Sequence, residues 1–534
     1  MFTRIKRVRT QDKTYQYLQV VESVRTGGKV RQRVVCNLGR IDQLPEGRVD
    51  ELIHALTRVA QQPWFSLREL GEGLHLPSAR TWGPVLAAER LWKEAELDRA
   101  LRRVLEGRQI QFDLSEAVFA MVLNRLMDPC SKLGLMRWKE TVYRPAFEAL
   151  QLQHFYRALD VLAEHKEAIE DRLFARMRDL FWLKVDLVFW DTTSSYFEGR
   201  GPEGLAACGY SRDKRPDRPQ LLIGVLLTEE GYPVAHEVFP GNVADGATAR
   251  YAFETLRRRF QLGRVIFVAD RGMVSAPLLE ELEAAGMEYI VGMRLRRSPV
   301  AEAVLSQPGR YRRVDPQLWL KEVWVDGLRY VLCYNPERAQ HDRAVREAVL
   351  AHVRAQLEAG QAKALLKNRA IARLLKRLPE GALAIDPEAV RRERRYDGKY
   401  VLHTNTGLAP DTVAQAYKQL WRVERAFRTL KSSLDVRPMY HWTERRVRGH
   451  VMVCFLALVL DWMLQRKLRD AGMTASTDLV WQDLESVKAV QVELAGHAFL
   501  GRTEPQGTAY QAFQALHMAL PPRLQPLVVP KNEA

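Results

Sequence analysis

Cysteine is scarce. The 534-residue chain has five, at positions 36, 130, 208, 333 and 454. Their number is odd and no pair has zinc-ligand spacing, which excludes a disulfide framework and a zinc finger. Residues 1–20 hold no apolar leader. The longest apolar run, Val451 to Leu460, stops at Asp461, short of the ~20 residues a bilayer span needs. These absences lead us to expect a protein of the reducing cytoplasm with no membrane partner. There is no P-loop and no internal repeat. Acidic residues are also in deficit, with 65 Asp and Glu against 81 Lys and Arg, a formal net charge of +16 and a pI near 9.6. Such a balance favours a polyanionic partner, although charge alone does not name one. A hydrophobic content of 47% excludes global disorder. The length fits three or four domains at about 150 residues each.

What is present is a set of carboxylates in distinctive places. Val185 to Asp191 is an almost continuously apolar strand ending at an aspartate, and Arg264 to Asp270 repeats the pattern. Strands this apolar are covered on both faces, and open α/β sheets bind ligands beyond the carboxyl ends of such strands. An aspartate there is also a common loop starter or helix cap. Farther on, Tyr417-Lys-Gln-Leu-Trp-Arg-Val-Glu424-Arg-Ala-Phe-Arg-Thr-Leu-Lys431 reads as a helix. Residues seven apart return to one face, so Tyr417, Glu424 and Lys431 form a stripe joined by Trp421 and Arg428. Beside it Val413, Ala416, Leu420, Val423, Phe427, Leu430 and Leu434 keep an apolar 3–4 repeat that must face a core. Residues 411–450 hold nine Lys and Arg against four Asp and Glu. A solvated basic flank on a core helix explains that stripe alone; the other two carboxylates are what point to catalysis.

The order Asp191, Asp270, Glu424, with Tyr417 and Lys431 seven residues either side of the glutamate, resembles the DDE transposases of bacterial insertion sequences. The resemblance is to the superfamily named after insertion sequence four, with its Tyr-x2-Arg-x3-Glu-x6-Lys signature. Tyr417, Glu424 and Lys431 match it, while Leu420 stands at the arginine position and Arg428 shares the Glu424 face. His236-Glu-Val-Phe-Pro-Gly-Asn242-Val-Ala-Asp245 is also similar to the family. The likeness covers about residues 180–460.

The resemblance implies a ribonuclease-H-like mixed α/β sheet, and periodicity supplies its element order. Gln220 to Thr228 and Pro233 to Phe239 read as strands that form a meander with the Asp191 strand. A helix over Gly246 to Phe260, the Asp270 strand, a helix over Pro277 to Ala285 and a strand over Glu288 to Met293 follow. The interval before Glu424 is too long for a loop. It carries a hairpin, Leu318 to Tyr334 around Asp326-Gly327, then a basic helical stretch from Asp342 to Leu378 and a strand over Tyr400 to Thr404. Trp319, Trp324, Tyr330 and Tyr334 offer faces for stacking on an unpaired base; the alternative is a hairpin packed by its own aromatics.

We therefore divide the chain into a basic β-hairpin region (1–50), a helical DNA-binding or assembly region (51–180), a first core segment (181–298), a β-rich and helical insertion (299–408), a second core segment with Glu424 (409–470) and a C-terminal region (471–534). In the N-terminal part, Tyr15 to Val24 and Val30 to Asn37 alternate like paired strands, and the stretch from Leu52 to Leu180 reads as largely helical with breaks at Pro77, Pro129 and Pro145.

The resemblance further implies an enzyme that holds two Mg²⁺ or Mn²⁺ ions, hard cations suited to carboxylate oxygens. Asp191 would bridge both, with Asp270 and Glu424 each completing one shell. Tyr417, Trp421, Arg428 and Lys431 would contact DNA, and the partners would be double-stranded element ends, target DNA and a second copy in a synaptic homodimer. The location would be the bacterial cytoplasm at the nucleoid. Two other readings stay open: a ribonuclease-H-like nuclease that performs no strand transfer, and a non-catalytic DNA-binding protein derived from a transposase.

Overall fold

A computed structural model describes the chain apart from residues 11–12, 27–28, 45–50, 52–73, 105, 107–110, 183–186, 253, 255–258, 261–265, 271–275, 285, 297, 362–364, 367, 380–381, 495–496 and 528–534. Several expected features lie partly outside the described residues: the connection between the two N-terminal strands, the start of the helical region (52–73), the starts of both aspartate strands and part of the helix after Asp245.

The described strands are, in chain order, β1 (Phe2–Thr10), β2 (Lys13–Thr26), β3 (Lys29–Arg40), β4 (Leu74–Thr81), β5 (Leu187–Tyr196), β6 (Gln220–Thr228), β7 (Pro233–Pro240), β8 (Ile266–Ala269), β9 (Glu288–Gly292), β10 (Arg312–Asp315), β11 (Leu318–Val325), β12 (Leu328–Tyr334), β13 (Leu375–Arg377), β14 (Leu383–Ile385), β15 (Lys399–Thr404), β16 (Lys488–Leu494), β17 (His497–Arg502) and β18 (Leu524–Pro526). The helices that bear on the argument are α1 (Leu114–Met127), α2 (Leu152–Glu164), α3 (Lys166–Phe181), α4 (Asp245–Tyr251), α5 (Ala276–Ala284), α6 (Pro336–Glu358), α7 (Pro410–Lys418), α8 (Trp421–Arg428) and α9 (Glu444–Asp470).

Contacts divide the chain into two units. One comprises Met1–Ala79, Ala489–Thr503 and Pro521–Ala534; the other comprises Arg80–Lys488 and Glu504–Leu520. In the first, β1, β2 and β3 make an antiparallel sheet, and β18, β17, β16 and β4 make a second. The sequence patterning predicts β2 and β3 but not β1. The reason is burial: β1 is an edge strand exposed along most of its length, so Arg4, Lys6, Arg7 and Arg9 interrupt any apolar alternation. Charged residues on an edge also discourage pairing with another chain. Pro77 falls within β4, where the sequence predicts a helical region.

The second unit is built on a nine-stranded mixed sheet in the order β10-β11-β12-β15-β9-β8-β5-β6-β7. β5, β8 and β9 run parallel, and the other neighbours are antiparallel. Every residue of β6 is buried, as its unbroken apolar sequence requires. Gly224 is the exception to bulk there, because a Cβ at that position would collide with the Trp190 indole on β5. Asp326 and Gly327 both adopt positive φ, 52° and 75°, and close the two-residue β11–β12 turn whose twist matches the flanking strands. That hairpin does not stand apart from the core: β12 pairs with β15 and β15 with β9, so the sheet runs on through residues the sequence assigns to an insertion.

Helix α9 spans 27 residues and is long and apolar enough to cross a membrane, yet 89% of its apolar stretch is buried within the protein. It packs against α1, α2 and β7 as the central helix of the unit. A buried charge network ties α3 to the sheet edge. Glu170 is fully buried, accepts the backbone N–H of His236 at 3.1 Å and faces the His236 Nδ1 at 2.8 Å. Arg259 lies 2.8 Å and Lys166 3.4 Å from its other oxygen.

Candidate active site

The parallel pairing of β5 with β8 sets the first two carboxylates side by side. Leu187 is opposite Ile266, Val188 opposite Phe267 and Phe189 opposite Val268. Two residues further along each strand stand Asp191 and Asp270, and the period-2 alternation puts both on the same face. β5 does not end at Asp191 as its sequence predicts. It continues to Tyr196, with the polar Thr192 to Ser195 held by an antiparallel ladder to β6, so Asp191 is half-buried within a strand while Asp270 is exposed just after one.

Burial pushes the Asp191 carboxyl up to about 7; Asp270 and Asp245 push the same way, against the Thr192 N–H and Arg212. Thr192 donates its backbone N–H to Asp191 at 2.7 Å and its hydroxyl to Asp245 at 3.1 Å. Arg212 donates to Asp245 at 2.8 Å, and its backbone N–H is received by Ser194 Oγ at 2.9 Å. Sequence reasoning quotes Asp245 only as part of a family segment and misses Arg212. The signal available was the charge-dense run Arg212-Asp-Lys-Arg215 between two buried strands.

The third carboxylate comes from a helix that is not continuous. The predicted single helix is instead α7, a bend at Gln419 and Leu420, α8, and a π-helical turn over Thr429–Ser433. At the bend the bonds tighten to i→i+3, from Leu420 to Tyr417 (3.1 Å), Arg422 to Gln419 (2.9 Å) and Val423 to Leu420 (3.0 Å). The apolar repeat survives: Val413, Ala416, Val423, Phe427, Leu430 and Leu434 are buried and Leu420 is partly so. The break lets α7 lean over β9 while α8 packs on β5.

Tyr417 shows what that accomplishes. Its hydroxyl donates to Asp270 Oδ1 at 2.8 Å, and its ring lies on Tyr400 with centroids 5.9 Å apart. The hydroxyl sits above Gly292, where an added Cβ would collide with it. Gly292→Ala should therefore push Tyr417 off Asp270. We expect a stability loss of about 1–3 kcal/mol from overpacking and a loss of activity of about 10–100-fold through the displaced carboxylate. Denaturant melts and steady-state rates would read the two effects separately. A glycine ending a buried strand is the signal that could have found this contact.

Trp421, Glu424 and Arg428 share the exposed side of α8. The carboxylate of Glu424 and the guanidinium of Arg428 have no partner among the described residues. Glu424 does not close on the aspartates here: among the described residues no three His, Cys, Asp or Glu side chains converge to ligand distance. Lys431 is placed differently from the other predicted DNA contacts. It donates to Asp213 Oδ1 at 2.6 Å and shares that oxygen with Arg437. Burial lowers the Lys431 pKa, and Asp213 opposes the shift. The Asp213 side chain is 3% exposed, and its other oxygen is buried with no partner among the described residues. In the hairpin, Tyr330 stacks on His403 and Trp319 meets the edge of Tyr334, while Trp324 is exposed.

The family model described as "Transposase DDE domain" matches residues 186–460, more than half of the chain. The chain belongs to the DDE transposases. The model described as "IS1634 family transposase, N-terminal domain" matches residues 3–69 of the same transposase and supports an insertion-sequence type. No curated protein sequence matches it significantly. Among solved structures, a piggyBac transposase synaptic complex with hairpin DNA is similar at 10% identity, covering 76% of this chain and 79% of that one, with a TM-score of 0.38. A Mos1 transposase paired-end complex with the left transposon end is similar at 16% identity, covering 34% and 59%, with a TM-score of 0.15. Scores this low add nothing to the assignment, which rests on the sequence model.

Proposed function

We propose that this transposase cleaves DNA at the ends of its element and transfers the freed 3′-hydroxyl into target DNA. Its core is read as ribonuclease-H-like, with the 299–408 segment adding β10, β11, β12 and β15 to the same sheet, and it would act as a homodimer on paired ends. The observation that carries the reading is the placement of Asp191 within β5 and of Asp270 just beyond the end of the parallel strand β8 beside it, with the helix bearing Glu424 packed on β5.

The donor set suits Mg²⁺ or Mn²⁺. It offers carboxylate oxygens alone, and the upward push on Asp191 from its acidic neighbours is the kind a hard cation relieves. Asp191, Asp270 and Glu424 would hold the ions, which when bound would sharpen an attacking oxygen and stabilise the leaving 3′-oxygen. The remaining work belongs to the chain. Tyr417 fixes Asp270, Arg212 and Thr192 orient the Asp191–Asp245 edge, and Arg428 offers a cation to phosphates, while Lys431 is held by Asp213. With water attacking phosphorus, the P–O bond to the 3′-oxygen breaks and a 3′-hydroxyl is released. With that hydroxyl attacking a target phosphodiester, a new P–O bond forms as the target's own bond to its 3′-oxygen breaks, so the strands are joined and the target leaves a 3′-hydroxyl. The same residues serve both steps.

An in vitro assay with Mg²⁺ and DNA from the gene's own flanks tests the proposal. Flank-specific cutting followed by joining is the expected result. Cutting without joining would replace it with the nuclease reading, and binding with neither would replace it with a non-catalytic DNA-binding protein.

A pH dependence follows. A carboxyl raised to about 7 is protonated below that pH, so metal must displace a proton there. Apparent Mg²⁺ affinity should rise as the pH increases from 6 to about 7 and level off above it, by up to about tenfold per unit on the rising limb. Titration calorimetry in two buffers would detect the released proton. Affinity that is flat between pH 6 and 8 would remove Asp191 from the metal site.

A further inference from the structure

On the flank of α8 next to the Glu424 face lies a groove of about 440 Å³ between α8 and the C-terminal half of α9. Arg422 and Arg425 reach it from α8, and Arg466 and Arg469 from α9. Arg466 is matched by Glu230 and by Asp470 at 3.1 Å. The other three have no ion pair among the described residues. Arg425 is held by a neutral partner, the side-chain carbonyl of Gln465 once that amide is turned to face it. Asp461 is nearby, but it accepts the Trp481 indole N–H at 3.2 Å. Arg422 Nε is buried with no partner, and its guanidinium lies 5.5 Å over the ring of Trp421, which is 51% exposed at the rim.

Three guanidiniums with no carboxylate partner repel one another, and the buried Arg422 Nε is left unsatisfied. Burial and the nearby Arg469 lower the Arg422 pKa, against the opposing pull of Glu229 and Glu230. An anion with several oxygen acceptors would resolve both deficits, because guanidinium is a planar donor fork that suits phosphate. The geometry relates this groove to the cut. On α8, Arg422 lies about 160° and Arg425 about 100° around the axis from Glu424. A helix about 10–12 Å across separates the groove from that glutamate, and at 3.4 Å per nucleotide that is about three nucleotides of one strand.

We infer that this arginine groove binds the phosphodiester backbone of DNA about three nucleotides from the bond being cut, with Trp421 covering the intervening sugar or base. The inference rests on the DNA-cleaving reading above and adds to it a phosphate site that the catalytic carboxylates do not need.

The experiment combines chemistry on the DNA with charge removal on the protein. Flank DNA carrying one neutral methylphosphonate at each position in turn is bound to the full-length wild type across a range of salt concentrations. A position about three nucleotides from the cut should weaken binding and flatten the slope of log affinity against log salt by about 1. The R422Q/R469Q variant on unmodified DNA should flatten that slope by about 2, and the same methylphosphonate should then cost it little more. R422K/R469K should restore most of the slope. A wild type that cuts flank DNA but shows no methylphosphonate effect away from the scissile phosphate would overturn the groove and leave the catalytic reading standing. A wild type that neither binds nor cuts that DNA would overturn both. The scan on wild type needs no substituted protein, so a variant that fails to fold cannot shelter the inference.

Discussion

Glu424→Ala should lower DNA cleavage by roughly 100- to 1,000-fold while DNA affinity stays within a few-fold. The basis is a separation of roles along α8. Glu424 is exposed and has no partner among the described residues, so its loss leaves no buried donor stranded and opens no cavity. Its buried neighbours Val423, Ala426 and Phe427 hold the helix against the core without it. On the proposed reading it removes one carboxylate of three at the centre where charge develops, and losses of that kind fall mainly on the rate. Asp270→Ala should match it, with the added consequence that the Tyr417 hydroxyl loses the acceptor it now holds at 2.8 Å. Single-turnover cleavage and a gel-shift titration on the same DNA separate the two quantities. Wild-type cleavage by either variant would remove that residue from the catalytic set. A parallel collapse of binding would make it a DNA contact instead.

The largest effect on stability should come from a residue outside the site. Glu170→Gln should cost about 3–5 kcal/mol, the range for breaking a buried ion pair from one side. Although burial pushes the Glu170 carboxyl upward, Lys166, His236 and Arg259 together hold it down at about 2. A carboxyl lowered in the folded state stabilises above its unfolded value near 4.5, and that stability is lost as pH falls toward 2. The Gln variant should therefore melt lower than wild type at pH 7, and the gap should shrink as the pH drops below about 4.5. Urea melts at the two pH values are the measurement; a gap that is constant with pH would show that the loss is packing and not charge. The change touches none of the proposed catalytic groups, so residual folded protein should still cut.

Much of this was legible because burial writes itself into composition. β5, β6, β8 and β9 are covered on both faces, and their apolar runs gave both their existence and the positions of Asp191 and Asp270. The Asp326-Gly327 pair fixed the β11–β12 hairpin because few other residues accept positive φ twice in a row. Features that depend on a distant partner did not show. Nothing local tells β15 to pair with β9, or β1 to lie beside β2. The bend at Gln419 is invisible in an apolar repeat that continues through it, since the tightened bend and the π turn still leave the same side chains facing inward. The pairing of Lys431 with Asp213 joins two segments with no shared pattern.

The place of α9 in the chain has a consequence for synthesis. The strands leading to the two aspartates leave the ribosome well before the helix that covers their sheet, by on the order of ten to forty seconds at about 5–20 residues per second. Until Asp470 has emerged, the helix that α1, α2 and β7 share is incomplete, and the faces they turn to it are uncovered. A message cut short before that point should yield an aggregating chain, not a folded fragment that grips DNA without cutting it. Premature termination would then leave no inhibitor behind to compete with the whole enzyme.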